Sequence, residues 1–132
     1  MTVPTGTTDG DLLVAVGSSD WGSFSGNGLP PGFTALTVSD YDGGGNSVHL
    51  ALGWRVASSE PASYTFPNNN SDNVSALLRI TGAEATFVQV APAAAGGGST
   101  SFTAPSLTPS GGDDLLLCIF VCDPSSSSAT TW

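Results

Sequence analysis

Apolar runs of strand length lie at residues 12–16, 33–38, 48–57, 64–66, 74–80, 87–90 and 115–122. Between them fall clusters of Gly, Pro, Asn, Asp and Ser, at 5–11, 18–32, 40–47, 58–63, 67–73, 91–101, 105–114 and 124–128. Short runs bounded by turn residues at this spacing predict an all-β chain, an antiparallel β-sandwich of jelly-roll or immunoglobulin-like type. No longer stretch combines a helical period with capping residues, so little or no helix is expected. The Ala-rich stretch 91–101 carries Pro92 and a glycine triplet and reads as a loop.

Side chains alternate between the two faces of a strand. Val48, Leu50, Leu52, Trp54 and Val56 share one face, which is expected to be core. His49, Ala51, Gly53, Arg55 and Ala57 share the other, small and partly polar. Val74, Ala76, Leu78 and Ile80 repeat the pattern, with Ser75 and Arg79 opposite. Run 115–122 does not alternate. A run apolar on both sides suits a central strand covered on both faces, or a subunit contact. Run 12–16 is similar.

These two unalternating runs also resemble each other. Asp11-Leu12-Leu13, an apolar run and Asp20 match Asp114-Leu115-Leu116, an apolar run and Asp123, at constant spacing. An internal repeat would make the chain one unit and a fraction of another, with Trp132 aligned on Leu29. Residues 1–132 are therefore expected to form a single sandwich domain, with 102–132 as an abbreviated second half. The last strand could then complete a neighbour's sheet.

Composition narrows the function classes. Among 132 residues, 39% are hydrophobic and 10% charged, with 17 Gly and 9 Pro. Eleven acids against two cations leave a net charge of −9. With Arg55 and Arg79 as its only cations, the chain has no basic stripe for a phosphate backbone and no adhesion to anionic lipid. Neither nucleic acid nor membrane is an expected partner. No apolar run reaches the ~20 residues of a membrane helix. The opening Met-Thr-Val-Pro does not read as a signal peptide.

Several residues invite a chemical reading, each beside a plainer one. Asp40, Asp42 and Asn46 around a glycine run could offer oxygens to Ca²⁺. Laid on an EF-hand loop, however, Ala51 falls where the bidentate acid belongs, and a Gly-rich hairpin loop accounts for the same residues. Cys118 and Cys122 on one strand would lie roughly 13 Å apart at ~3.3 Å per residue, too far for a disulfide, which needs less than ~7 Å. They read as small apolar residues, with an intermolecular link as the alternative. His49, the one histidine, lacks the partners of a catalytic triad and reads as a solvated or interface side chain. Arg55 and Arg79 either pair within the chain, with Glu60 and Glu84 as candidate partners, or one of them docks on an acidic or carbonyl-rich partner surface. Trp21, Tyr41, Trp132 and Phe24 fall in predicted loops, as sandwich plugs, protein anchors or sugar-stacking rings. Asn69 and Asn73 fit the glycosylation pattern, but read as polar turns. No catalytic residue, cofactor or enzyme activity is expected.

One resemblance adds to this. Pro4-x-Gly6-Thr7-x-Asp9-Gly10-Asp11-Leu12-Leu13-Val14-Ala15, then Pro30-Pro31-Gly32-Phe33-Thr34-x-Leu36, then Trp54-Arg55-Val56-Ala57-Ser58-x-Glu60-Pro61-x-x-Tyr64-Thr65-Phe66, then Ile80-Thr81-Gly82-Ala83 follow in order. Ala104-Pro105-Ser106 and Leu115-Leu116-Leu117-Cys118 come later. This order resembles a β-sandwich module of tailed-bacteriophage virion proteins, found in tail fibres and on head surfaces. The resemblance implies a virion structural role and supplies no catalytic residues. A capsid decoration (cement) protein is expected, a homo-oligomer on the head surface that packs against the major capsid protein and neighbouring copies. Arg55, Arg79, Trp21, Tyr41 and Trp132 are its candidate contacts. The alternative is a tail-fibre or adhesin module that binds host-surface glycan.

Overall fold

Four of the predicted runs become strands: β1 (Leu12–Asp20), β2 (Thr34–Asp42), β3 (Ser47–Val56) and β4 (Asn73–Ile80). They form one antiparallel sheet in the order β2-β3-β1-β4 in a computed structural model. The structure describes residues 1–20, 28–42, 47–67, 73–84, 103, 105–109, 112 and 114–121. The predicted strand 87–90 and loop 91–101 lie outside them, as do Trp21, Asn46, Cys122 and Trp132. No helix occurs among the described residues. The all-β expectation therefore holds, as one sheet.

Pairing lengthens two strands beyond their apolar runs. β1 continues through Gly17, Ser18, Ser19 and Asp20 because β3 supplies partners throughout, ending at Asp20 opposite Val48. β2 continues to Asp42, opposite Ser47, so the predicted hairpin forms with residues 43–46 between its strands. Asp40, Tyr41 and Asp42 are thus strand residues, opposite His49, Val48 and Ser47, rather than loop residues. A main-chain ladder outweighs the turn preference of Ser, Asp and Asn wherever a partner strand is in register. A register shift between Ala35 and Thr37 leaves Leu36 outside the paired positions of β2.

The strand order decides which face becomes the core. β3 lies between β1 and β2, so the link from β1 to β2 must pass it; the link from β3 to β4 must likewise pass β1. The described parts of these links cover one sheet face. Leu29, Phe33 and Tyr64 cluster there with Leu13, Ala15, Ala51 and Ala57, and Phe66 packs against them. Small strand residues make room. A Cβ on Gly53 would collide with Leu29 and come within 2.9 Å of the Thr34 carbonyl oxygen; one on Gly17 would come within 2.7 Å of the Phe66 ring.

This corrects the sequence reading of β3. Ala51, Gly53 and His49 are buried and Arg55 half-buried, whereas Val48, Leu50, Leu52, Trp54 and Val56 are all half-buried. The face with the larger apolar residues was expected to be core. The face of small residues holds the described core instead, because crossing segments can approach closely only where side chains are small. His49 correspondingly is buried opposite Ser19, not solvated.

Two further runs depart from expectation. The predicted strand 64–66 reduces to an isolated bridge between Thr2 and Ser63, where Tyr64 N–H donates to Met1 O at 2.8 Å and Val3 N–H to Ala62 O at 3.0 Å. Run 115–122 is no central strand: its described residues, through Val121, belong to no strand. Leu115 is 71% exposed, Leu116 61% and Phe120 50%. No described strand lies in register beside it, and an extended apolar run without a ladder partner does not make a sheet.

Candidate interaction surface

Arg55 is one of the two cations, and the chain closes a box around it. β3 delivers Arg55 to the core face, and the turn at 57–63 returns Glu60 and Tyr64 to it. Arg55 Nη2 meets Glu60 Oε1 at 3.1 Å, and Arg55 Nη1 donates to the Tyr64 hydroxyl at 2.9 Å. The Tyr64 hydroxyl donates in turn to Glu60 Oε2, and Ser58 N–H donates to Glu60 Oε1 at 2.9 Å. The guanidinium also lies 5.8 Å from the Phe33 ring centre and 5.9 Å from that of Tyr64, within cation–π range. The two rings meet edge to face, 5.2 Å between centres. Burial pushes the Tyr64 phenol up to about 12, and the neighbouring Glu60 carboxylate adds to the rise.

Arg79 makes a second internal pair. Its Nε lies 2.7 Å from Asp11 Oδ2, and its Nη1 donates to Thr5 O at 3.4 Å. Thr8 N–H donates to the same Asp11 oxygen at 2.8 Å, and the Thr8 hydroxyl donates at 3.1 Å. The Thr8 N–H holds the Asp11 carboxyl below the ordinary aspartate range, against the opposing effect of burial, and the Arg79 bond adds to the lowering. Glu84, the partner expected from sequence, is not used, because β1 pairing brings Asp11 beside the end of β4. Arg55 does meet Glu60, the acid expected. Both cations therefore serve to fasten the turns around the sheet.

With the two arginines internally engaged, the exposed surfaces that stand out among the described residues are apolar. Opposite residues in a ladder share a face. On the face away from the covered core, β1 presents Leu12, Val14 and Val16, and β3 presents Leu50, Leu52, Trp54 and Val56. β4 adds Val74, Ala76, Leu78 and Ile80. Leu12 and Val14 are buried, most of the rest are half-buried, and Val74 is 74% exposed. Outside the strands, Leu115, Leu116 and Phe120 on the 114–121 segment are exposed. A shallow groove lined by Leu29, Pro30, Pro31, Phe33, Thr65 and Pro67 lies on the other side, beside the Arg55 box.

The remaining sequence candidates are placed as follows. Tyr41 stands on β2 opposite Val48, and Trp21 and Trp132 lie outside the described residues. Of the Ca²⁺ candidates, Asp40 and Asp42 stand on β2 and Asn46 lies outside the described residues. Among the described residues, no group of three His, Cys, Asp or Glu converges to hold a metal. The sequence reading missed Leu115, Leu116 and Phe120 as individual surface residues. The absence of alternation in their run was the available signal. No protein-family model, curated protein or solved structure matches the chain.

Proposed function

We propose that this chain is a structural virion component, a capsid decoration protein that packs on a phage head against the major capsid protein and neighbouring copies. The observation that carries the reading is the row of exposed apolar side chains, Leu115, Leu116 and Phe120, on a segment without strand partners. Fully burying a side chain of this kind is worth about 1.5–3 kcal/mol. A protein that leaves three exposed on one short segment is suited to assembly, where neighbours cover them. The motif order from Pro4 to Cys118 supplies the virion context by resemblance.

In this reading the four-stranded sheet is one layer of a β-sandwich, and its half-covered apolar face packs against the second layer. A contact of standard size, ~1,600 Å², repeated over a shell, stabilises it through many simultaneous engagements. The acidic excess, net −9, keeps the outer surface soluble and away from nucleic acid.

Imaging particles with the protein deleted and then restored tests the proposal. Loss of surface density and of heat resistance on deletion, with recovery on restoration, is the expected result. Heads unchanged in both respects would overturn it. Density confined to the tail would favour a fibre module that binds host glycan.

A further inference from the structure

β4 and the 115–121 segment are incomplete in complementary ways. β4 is one of the two edges of the described sheet, the other being β2 with Asp40 and Asp42: β1 pairs along one side of β4, and no described strand lies along the other. The edge carries neither Pro nor Lys, the residues that commonly block strand addition. The 115–121 segment alternates in exposure as an extended strand does. Leu116, Cys118 and Phe120 are exposed, and Leu117, Ile119 and Val121 are half-buried.

We propose that residues 115–121 of one copy add as an antiparallel fifth strand to the β4 edge of a second copy. The register follows from β1. β1 sets Leu12 opposite Ile80 and runs antiparallel to β4 from there. Leu115 is the counterpart of Leu12 in the internal similarity, so it takes the place opposite Ile80 on the vacant side. Leu117 then faces Leu78, Ile119 faces Ala76 and Val121 faces Val74, which covers the 74% exposed valine. These pairs extend the apolar face of Val14, Trp54 and Leu78 by one more strand. Leu116, Cys118 and Phe120 fall opposite Arg79, Leu77 and Ser75, toward the core side.

Seven residues meet seven, and Arg79 is the one charge in either stretch. A second copy is the donor because the segment pairs with no described strand of its own chain and leaves Leu115 71% and Leu116 61% exposed. Main-chain bonding supplies affinity in such an addition, and side-chain fit on the two faces supplies register. This goes beyond the virion reading and does not depend on it.

The exposed Cys118 thiol allows a direct test. In a Cys122→Ser background, a chain that keeps Cys118 is mixed with one carrying Leu77→Cys and Cys118→Ser, under mild oxidation. A disulfide-linked dimer well above that formed with a Ser58→Cys control is expected. A yield no greater than the control overturns the proposal. So does a chain with both Leu77→Cys and Cys118 that links only within itself, which would make the donor its own edge. Sedimentation of the unmodified chain serves where Leu77→Cys fails to fold. Association is expected, weakened about tenfold by Phe120→Ser; a monomer at every concentration overturns the inference.

Discussion

β1 and the 114–121 segment are close in sequence and opposite in fate. Asp11 leads into Leu12-Leu13 of β1 as Asp114 leads into Leu115-Leu116, and apolar residues follow in both, yet β1 is an interior strand of the sheet and the segment belongs to none. Leu13 is wholly buried, whereas its counterpart Leu116 is 61% exposed. Strand neighbours make the difference: β3 flanks β1 from Leu12 to Asp20 and β4 from Leu12 to Ser19, and no described strand flanks the segment. Residue size matters too. β1 has Gly17 where it passes beneath Phe66, and the segment has Phe120 at that position. The segment could not take β1's place without displacing that ring. An apolar run states a need for burial; neighbours decide how it is met.

The largest test of this contrast is a matched truncation. Leu13→Ala is expected to cost about 2–5 kcal/mol of stability, as for other buried leucines. Leu116→Ala should stay within about 0.5 kcal/mol at concentrations where the chain is monomeric. Urea unfolding of the two variants side by side measures both, and equal losses would abolish the distinction.

Glycines sharpen it next. Gly53→Ala sets a methyl group against Leu29 and the Thr34 carbonyl, and should destabilise by about 1–3 kcal/mol. Gly112 precedes the segment and has no atom near the space its Cβ would occupy. Gly112→Ala should therefore change the thermal midpoint little.

A smaller effect is expected in the box around Arg55. Tyr64→Phe removes the hydroxyl that joins Arg55 to Glu60 and should cost about 0.5–1.5 kcal/mol. Alkaline titration examines the same group. With Tyr41→Phe in place, Tyr64 is the remaining tyrosine, and its phenolate absorbance should rise near 12 rather than 10. Because the folded pKa is raised, its contribution is fully present below pH 10 and is lost as pH rises through about 12.

The smallest effect lies at the acid end. Folding lowers the Asp11 pKa from its ordinary 3.8, so its contribution is present above that value and is lost as pH falls through the lower folded one. Asp11→Asn should flatten the fall in stability below about pH 4. An unchanged acid limb would show that the Thr8 and Arg79 bonds do not hold the carboxylate as described.

Much of the fold was legible in the sequence. Runs 12–16, 33–38, 48–57 and 74–80 all lie in or against observed strands, because strand-length apolar stretches and Gly/Asn/Asp turns are local signals. The Arg55–Glu60 pair was legible for the same reason: five positions and one turn separate its members. The Arg79–Asp11 pair was not, since it joins residues 68 positions apart through the β1–β4 ladder. Period-two alternation showed that β3 has two unlike faces but could not say which the chain would cross. Tyr64 was legible as an apolar position, but its place between Arg55 and Glu60 depended on the path of the 57–63 turn.

By itself, then, the sequence determined the all-β class, most strand positions, the hairpin between β2 and β3, and the scarcity of cations. These follow from side-chain size, alternation and turn preference, all set within a few residues. Tertiary structure alone decided that the small-residue face of β3 is core, that β1 reaches Asp20, that Asp11 holds Arg79, and that Leu115, Leu116 and Phe120 stay exposed. Each of those depends on which distant segment comes to lie alongside, and strand pairing between segments far apart in the chain leaves little trace in either one.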